Sequence, residues 1–202
     1  MNKSFTRKKI LDESIELFSE LGFSKASIRD LVRAVGVTNS TVYVHFKNKD
    51  EILFSIIENI AAVLRTELDA AIEKQDDPVE CLRDMIFRQV YLIKERRKEI
   101  KIYIEEQNHL PAGLRKKVLK QHRELYNLYF NKILEIKGKG LAREIDPVVM
   151  TFGIFAMMNW AYRWFKDDGR LSIEQIAEGI THLFFEGILT RDSLADPEKN
   201  AS

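Results

Sequence analysis

A group of short polar side chains within the first fifty residues carries the clearest chemistry in this sequence. Thr38, Asn39 and Ser40 are hydrogen-bonding groups small enough to reach base edges in the major groove of DNA. Lys47 and Lys49 follow them, and cations at such positions can hold the phosphates that flank a groove. The residue types and their order predict a surface that binds nucleic acid. Each residue also has an ordinary interpretation, because Thr38 can simply cap a helix and the lysines can be solvated.

Catalytic chemistry has little support in this sequence. The four histidines are widely separated and form no H-E-x-x-H pattern, and there is no G-x-S-x-G. Cys81 is the only cysteine, which excludes an internal disulfide and fits a reducing compartment. Glu105, Glu106 and His109 could hold a metal from one helix, but a solvated acidic face before Pro111 is the simpler interpretation. The sequence therefore predicts a protein that is not an enzyme and has no cofactor.

The charge is distributed unevenly along the chain. The first 50 residues hold nine Lys and Arg against six Asp and Glu, whereas the whole chain has a formal net charge of +1. A basic N-terminal part on a slightly acidic remainder is expected when only the first part meets phosphate. The N-terminus has no apolar signal region, and the longest apolar stretch is too interrupted to span a membrane. We therefore expect a cytoplasmic protein with no membrane partner.

Helices separated by clear turn signals must position the polar group. Apolar spacing is helical throughout, with no convincing strand alternation. Gly22 stops the first helix, Ser27 caps a second, and Gly36 supplies the left-handed residue that ends it. Two short helices joined by a glycine-containing turn are the core of a helix-turn-helix. The side chains predicted to face its interior are Leu31, Ala34, Val37, Val42 and Phe46.

The later helices are predicted from their caps and apolar stripes. They are a fourth helix to Gln75, a fifth from Pro78 to about Arg96, a shorter helix before Pro111, a long one over 114–136, an eighth from Pro147 to Lys166, and a last one capped by Ser172. The fold class is therefore all-α, with about nine helices: an N-terminal three-helix helix-turn-helix domain and a larger helical domain. We place the boundaries at residues 1–48 and 49–191, with a disordered tail at 192–202.

The stretch SIRDLVRAVGVTNSTVYVHFKNKDEIL closely resembles the signature of the TetR family of bacterial regulators. The resemblance is specific over residues 6–55. It implies a DNA-binding transcriptional repressor whose larger domain binds a ligand and forms a homodimer on a palindromic operator. The features that carry it are the glycine turn, the T-x-Y-x-x-F core of the third helix and the lysine that starts the fourth, here Gly36, Thr41, Tyr43, Phe46 and Lys49.

The resemblance also implies roles for individual side chains. Residues that open the third helix would face the bases, side chains further along would hold phosphates, and the second helix would touch the DNA backbone. In that order these are Thr38, Asn39 and Ser40; Tyr43, His45 and Lys49; and Ser27 and Arg29. The full predicted DNA-binding set is Ser27, Arg29, Thr38, Asn39, Ser40, Thr41, Tyr43, His45, Lys47 and Lys49.

A dimer is expected because one helix-turn-helix reads only a few base pairs. Two copies about 34–36 Å apart are needed for useful specificity. The eighth helix is apolar on all faces, so it must be buried from more than one side. It and the last helix could pair with their symmetry mates as an intersubunit four-helix bundle, as in the TetR family, or be buried within one subunit. The predicted interface is Met157, Trp164, Ile176, Ile180, Leu183 and Phe184.

The segment Asn159–Lys166 combines two Trp, a Tyr, a Phe and an Arg. It is similar to a TetR branch that responds to acyl-CoA thioesters and governs lipid or aromatic-acid breakdown. That resemblance implies an apolar tunnel for the acyl chain, with Arg163 or a nearby lysine or arginine facing the nucleotide phosphates. An equally simple interpretation pairs a buried Arg163 with Glu105 or Glu106. The predicted ligand-binding residues are Phe87, Val90, Tyr91, Tyr103, Phe152, Phe155, Asn159, Trp160 and Arg163.

Two other functions remain open on the sequence. Within the same family, the chain could be a multidrug sensor that represses an efflux pump. Outside it, the chain could be a helical carrier or interaction protein with no DNA role. The second alternative leaves the polar and aromatic side chains of the third helix without a purpose.

Overall fold

Nine α-helices make up the described part of the chain, residues 3–190 of the computed structural model. They are α1 Lys3–Leu21, α2 Ile28–Val35, α3 Asn39–His45, α4 Lys49–Lys74, α5 Pro78–Tyr91, α6 Ile93–Glu105, α7 Ala112–Gly138, α8 Pro147–Trp164 and α9 Ile173–Ile188, with a 3₁₀ turn at Gln107–His109. Among these residues the β interactions are limited to one isolated bridge between Ala142 and Leu189. The prediction of an all-α fold is confirmed. The tail predicted at 192–202 lies outside the described residues.

One predicted helix is divided in the structure. The helix expected from Pro78 to about Arg96 ends at Tyr91, and α6 begins at Ile93. Arg96 itself has non-helical dihedral angles, with φ −123° and ψ 23°. The run from residue 94 to residue 99 contains no apolar side chain. Because helices in proteins are stabilised mainly by packing of an apolar face, nothing keeps this stretch straight.

The chain divides into two compact units. The first consists of the described residues up to Ala62 together with Arg96–Gln121, and it contains the whole helix-turn-helix. The second consists of Val63–Glu95 and the described residues from His122 onward. The functional boundary that we placed after residue 48 stays a prediction.

The first unit has one apolar core beneath α1, α2 and α3. Leu31, Val42 and Phe46 are buried there, as predicted, but Ala34 is exposed and Val35 takes its place. The reason is that the buried side of α2 follows a four-residue step from Leu31. The largest buried members of this core include Ile10, Phe18, Leu31, Val42, Phe46, Ile52, Leu53, Ile57, Ile102 and Leu110.

The part of α6 that starts at Arg96 belongs to this first unit and is attached to α1. The Lys101 ammonium donates a hydrogen bond to the Ser19 carbonyl at 2.6 Å. Lys98 forms an ion pair with Glu16 one turn earlier on each helix. These contacts hold α6 along the C-terminal half of α1, next to the start of the helix-turn-helix.

In the second unit α5 packs against α8 and α9. Both of the last helices start at a side-chain cap: Asp146 accepts from the Val148 N–H at 2.7 Å, and Ser172, the predicted cap, forms a capping box with Gln175. Cys81 is buried, and its burial raises the pKa of the thiol. None of the helices within residues 3–190 is long and apolar enough to cross a membrane.

Candidate nucleic-acid interface

The two short helices are bounded by the side chains that the sequence indicates. The Ser27 hydroxyl accepts from the Asp30 N–H at 3.2 Å, and the Asp30 carboxylate accepts from the Ser27 N–H at 3.1 Å. Hydrogen bonds from Ser27 lower the pKa of Asp30, so this capping box stays ionised well into acid. Thr38 accepts from the Thr41 N–H at 3.2 Å. Between them Gly36 adopts the left-handed conformation with φ 73° and ψ 38°, which forms the turn.

Helix α3 has a buried face and a solvent face. Val42 is fully buried and Phe46 nearly so, and they attach the helix to the core of the first unit. On the opposite face Tyr43 and Val44 are 53% and 65% exposed. Val44 was expected to lie away from the core but was not among the residues predicted to bind DNA. The step of two residues from the inward Val42 accounts for its exposure.

All ten residues predicted to bind DNA lie in the first unit, on α2, on α3, at the first residue of α4 or in the short segments beside these helices. Seven of them are exposed, and Thr41, His45 and Lys49 are half-buried. The hydroxyl of Thr38 lies 2.8 Å from that of Ser40 and 2.9 Å from that of Thr41. These three hydroxyls therefore have fixed positions before any ligand arrives.

Cations from α1 brace the two short helices. The Lys9 ammonium donates to the Val35 carbonyl at 2.8 Å, which satisfies an acceptor at the end of α2. The guanidinium of Arg7 lies 4.9 Å from the centroid of the Phe46 ring and donates to the Ser55 hydroxyl at 3.3 Å. The basic residues of α1 thus stabilise the motif from within the protein.

The two lysines after α3 differ sharply. Lys47 is exposed, whereas the ammonium of Lys49 donates to the carbonyls of Phe23 and Ala26 at 2.7 and 2.9 Å. The same nitrogen lies 4.1 Å from the centroid of the Phe23 ring. Lys49 is therefore already bound by the protein. These contacts could not be predicted from local spacing, because Ala26 and Phe23 are 23 and 26 residues away from Lys49 in the sequence.

The acidic pair with His109 forms no metal centre. His109 Nδ1 lies 3.0 Å from a carboxylate oxygen of Glu106, and the imidazole ring lies 5.6 Å from the Phe23 ring. Across residues 3–190 no three His, Cys, Asp or Glu side chains are grouped closely enough to hold a metal ion. His109 instead packs over the loop between α1 and α2.

The residues predicted to bind a ligand fall at several places. Tyr103 belongs to the first unit and the other eight to the second. Val90 is fully buried, whereas Phe152 and Trp160 are 60% and 58% exposed on α8. Phe155 lies inward, with its ring centroid 5.0 Å from that of the buried Tyr129.

Arg163 is exposed, so the prediction that this arginine is buried is wrong for the single chain. Its Nε donates to the Tyr162 hydroxyl at 3.0 Å, and its guanidinium lies 4.6 Å from the Trp160 ring. The physical reason is the register of α8: Met158 and Ala161 take the inward positions, and Arg163 falls with Trp160 on the outer face.

A cleft along α5 has a mixed aromatic and charged lining. The rings of Phe87 and Tyr91 stack at a centroid distance of 6.0 Å in a cavity of about 350 Å³. At its wall Arg88 forms ion pairs with Glu67 at 2.9 Å and with Asp84 at 3.0 Å. The two aromatic residues were among the predicted ligand-binding residues, and the charged ones were not. The four-residue spacing of Asp84 and Arg88 along α5 was the available signal, whereas Glu67 lies on α4.

The side chains predicted for a dimer interface divide into two groups. Ile176, Ile180 and Phe184 are buried inside the single chain, and Met157 is half-buried. Trp164 and Leu183 are 46% and 68% exposed. We use the name outer apolar face for the exposed large apolar residues of α8 and α9, which are Val148, Val149, Phe152, Trp160, Trp164 and Leu183.

Several proteins of known class are similar to this chain. The HTH-type transcriptional repressor KstR2 of Rhodococcus jostii (strain RHA1) is 24% identical over 193 residues, which is 92% of each chain. The crystal structure of AibR in complex with isovaleryl coenzyme A and operator DNA matches with a TM-score of 0.84 at 27% identity, covering 90% of this chain and 99% of that one. The ketosteroid regulator KstR2 of Mycobacterium tuberculosis shares the fold, with a TM-score of 0.86 at 18% identity over 92% of this chain and 95% of that one.

Two family models match most of the chain. Residues 10–56 match the model described as bacterial regulatory proteins, tetR family. Residues 75–188, more than half of the chain, match the model described as Tetracyclin repressor-like, C-terminal domain. The first match contains α2, α3 and the glycine turn whose geometry is given above. The chain therefore belongs to the TetR family of transcriptional regulators, which are DNA-binding proteins and not enzymes.

Proposed function

We propose that this ligand-responsive TetR-family repressor binds a palindromic operator as a homodimer and is controlled by an acyl-CoA or a similar apolar acid derivative. The observation that carries the DNA-binding part is the solvent face of α3. Val42 and Phe46 attach this helix to the core, while Asn39, Tyr43 and Val44 are exposed side by side. A helix with a polar N-terminus and a protruding solvent face fits the major groove.

The contacts we propose follow from the chemistry of each exposed group. Asn39 can pair with adenine, and the hydroxyls of Thr38 and Ser40 can meet either base edge. Val44 presents methyl groups and so suits the C5-methyl group of thymine. The phosphate contacts are assigned to Arg29, Tyr43, His45 and Lys47, with Ser27 and Thr41 at the margins of the surface.

Homodimerisation is proposed through the outer apolar face. Its large side chains cost free energy in water, at about 25 cal/mol per Å² of apolar surface that stays unburied. Trp160 and Trp164 are four residues apart on α8 and therefore lie on the same side of that helix. Leu183 is the most exposed large apolar residue of α9. A second copy of the chain presents the same surface, so a twofold axis lets each face cover the other.

The acyl-CoA part of the proposal rests on relatives and on the aromatic content of α8. The AibR structure, 27% identical to this chain, contains isovaleryl coenzyme A. The Phe155 ring belongs to an aromatic group with Tyr126 and Tyr129 that could line an apolar tunnel. A role in lipid or aromatic-acid metabolism follows from such an effector.

A multidrug sensor is the second candidate, and the cleft along α5 favours it. Glu67, Asp84 and Glu95 line this cleft together with one cation, Arg88, and Lys74 lies 3.9 Å from the Asp84 carboxylate. Carboxylates beside stacked aromatic rings suit a lipophilic cation better than a thioester with phosphates. The carrier hypothesis is dropped, because the chain belongs to a family of DNA-binding regulators.

The test is a fluorescence-anisotropy titration of the purified protein on the DNA just upstream of its own gene. Salt concentration is varied, and isovaleryl-CoA, a long-chain acyl-CoA and a lipophilic cation are added in turn. We expect tight binding that weakens with salt and changes with a thioester. Binding that responds only to the cation would replace the acyl-CoA proposal with the multidrug one.

Tyr43→Ala supplies the matched control in that titration. We expect loss of specific binding with an unchanged melting temperature, since Tyr43 is 53% exposed. An unaltered affinity would contradict the assigned surface. If the upstream DNA is not bound, selection of bound fragments from the whole genome replaces it, and failure there would refute DNA binding.

A further inference from the structure

The loop between α1 and α2 is held by a side chain from the start of α4. Lys49 is the first residue of α4, and its ammonium donates to the carbonyls of Phe23 and Ala26. An ammonium group has three donors. Two are used by these carbonyls, and the Phe23 ring, 4.1 Å from the nitrogen, covers a third direction.

The location of this lysine needs a specific explanation. A cation at the N-terminus of a helix is opposed by the helix dipole, which favours the acidic residues that follow at positions 50 and 51. Two carbonyl oxygens and an aromatic face offset that repulsion. The carbonyl of Ala26 is stabilised in turn by the ammonium, because a buried backbone acceptor without a partner is costly and Ala26 is only 1% exposed.

The loop that Lys49 holds determines where α2 begins. Ala26 immediately precedes Ser27, the residue that caps α2. Phe23 packs edge-on against Phe18 at a centroid distance of 5.3 Å. A displaced loop would therefore move the α2 cap, and with it the α2–α3 turn and the exposed face of α3.

We propose that Lys49 is a positioning residue of the DNA-reading unit and not one of its phosphate contacts. Its role is to bind the α1–α2 loop so that α2 and α3 have the geometry needed to read bases. This inference rests on the proposed DNA-binding function and changes the role that the family resemblance implies for Lys49. Lys47, exposed two residues earlier, remains the phosphate-binding lysine of this turn.

The test compares Lys49→Gln with Lys47→Gln as a matched control. Each variant is measured for melting temperature, for affinity to operator and to unrelated DNA, and for the slope of log Kobs against log salt. Loss of a phosphate contact lowers the slope by about 0.9 and weakens binding to all sequences alike. Loss of positioning leaves the slope unchanged and weakens operator binding selectively.

We expect Lys49→Gln to lower the melting temperature by about 4 °C or more, because two charge-assisted hydrogen bonds are lost. Operator affinity should fall about tenfold or more, with unrelated DNA unaffected. Lys47→Gln should show the reverse, a smaller slope and an unchanged melting temperature. Lys49→Arg, which keeps the charge and the donors, should recover most of the stability.

A slope reduced by about 0.9 in Lys49→Gln would overturn the proposal, with or without a loss of stability. An unchanged melting temperature would overturn it as well. If Lys49→Gln does not fold, Lys49→Arg decides by the ratio of operator affinity to unrelated-DNA affinity, because arginine keeps the charge and therefore the slope under either role. A ratio below that of the unsubstituted protein supports positioning, and an equal ratio overturns the proposal. If the unsubstituted protein binds no DNA, the proposed function fails, and the melting temperatures alone decide whether Lys49 holds the loop.

Discussion

The hydroxyl of Tyr129 donates a hydrogen bond to the side-chain oxygen of Gln89 at 2.8 Å. Tyr129 is fully buried in the second unit, and the Met85 carbonyl lies 3.2 Å from the same hydroxyl. Burial raises the pKa of Tyr129 well above its ordinary value, so the hydroxyl remains a donor at any physiological pH. The contact joins α7 to α5 beside the aromatic group that we assign to the effector.

Tyr129→Phe should lower the free energy of unfolding by about 1 kcal/mol, the typical net contribution of one hydrogen bond. The ring still fills its place, so the loss comes from the hydroxyl alone. Urea denaturation measures the change, and Tyr91→Phe, at a residue 36% exposed, is the control. An unchanged midpoint in Tyr129→Phe would show that the hydrogen bond contributes nothing.

Gly36→Ala should destabilise the first unit by about 1–2 kcal/mol. At φ 73° an L-residue is strained, although an added Cβ would meet no atom within 4 Å. The cost is therefore conformational and not steric. Gly36→Asn should cost less, since asparagine tolerates the left-handed region. Chemical denaturation of both variants checks the order, and equal stabilities would refute a left-handed turn.

Acidification should weaken the fold through His122. Burial lowers the pKa of this imidazole below its ordinary value of 6.5. The unfolded chain then binds a proton more readily than the folded one. Its contribution to stability is therefore complete above the unfolded pKa and is lost as pH falls through about 6.5 toward the folded pKa.

The measurement is the melting temperature between about pH 7.5 and about pH 5. His122→Gln should show a smaller fall over this interval than the unsubstituted protein. His182→Gln, at an exposed position, is the control and should behave like the unsubstituted chain. An identical fall in His122→Gln would exclude His122 as a source of acid sensitivity.

Leu183→Glu should convert the proposed homodimer to monomers. Leu183 is 68% exposed in the single chain and belongs to the outer apolar face. A carboxylate there would be desolvated next to its symmetry mate, and we expect the dimer dissociation constant to rise at least tenfold, by about 1.4 kcal/mol or more. Sedimentation velocity measures this. Leu134→Glu on α7, at a residue 43% exposed, should remain dimeric.

Val44 should discriminate thymine from uracil in the operator. Replacing operator thymines by deoxyuridine removes only the C5-methyl group, and one such contact is expected to change affinity by about 1 kcal/mol. In Val44→Ala the same replacement should have a smaller effect, because the two γ-methyl groups of valine are removed. Anisotropy titrations of both proteins on both DNAs form a double-mutant cycle. If the deoxyuridine replacement changes the affinity of both proteins equally, Val44 does not contact the thymine methyl groups.

Local interactions allowed the helix-turn-helix to be predicted in detail. The caps of α2 and α3 and the left-handed Gly36 each depend on residues no more than four positions away. The same holds for the starts of α8 and α9, where Asp146 and Ser172 bond to N–H groups two or three residues on. Such contacts are visible in a sequence because short-range geometry is the same in every fold.

Other features could not be predicted because they depend on distant partners. The aromatic content of α8 was evident, but not which side faces the core. As a result Arg163 was expected inside and is exposed. Ile180 and Phe184 were likewise predicted for the dimer interface and are buried within the single chain. An apolar stripe shows which side chains must be covered and not which element covers them.

The sequence by itself determined the fold class, the positions of the caps and turns, and the polar surface of α3, since all of these follow from periodicity and short-range hydrogen bonds. Only the tertiary structure decided the partners of Lys49, which are brought to it across more than twenty residues by the packing of α1 against α2 and α4. It also decided which apolar side chains of α8 and α9 are left exposed, because burial is a property of the assembled unit and not of a residue type.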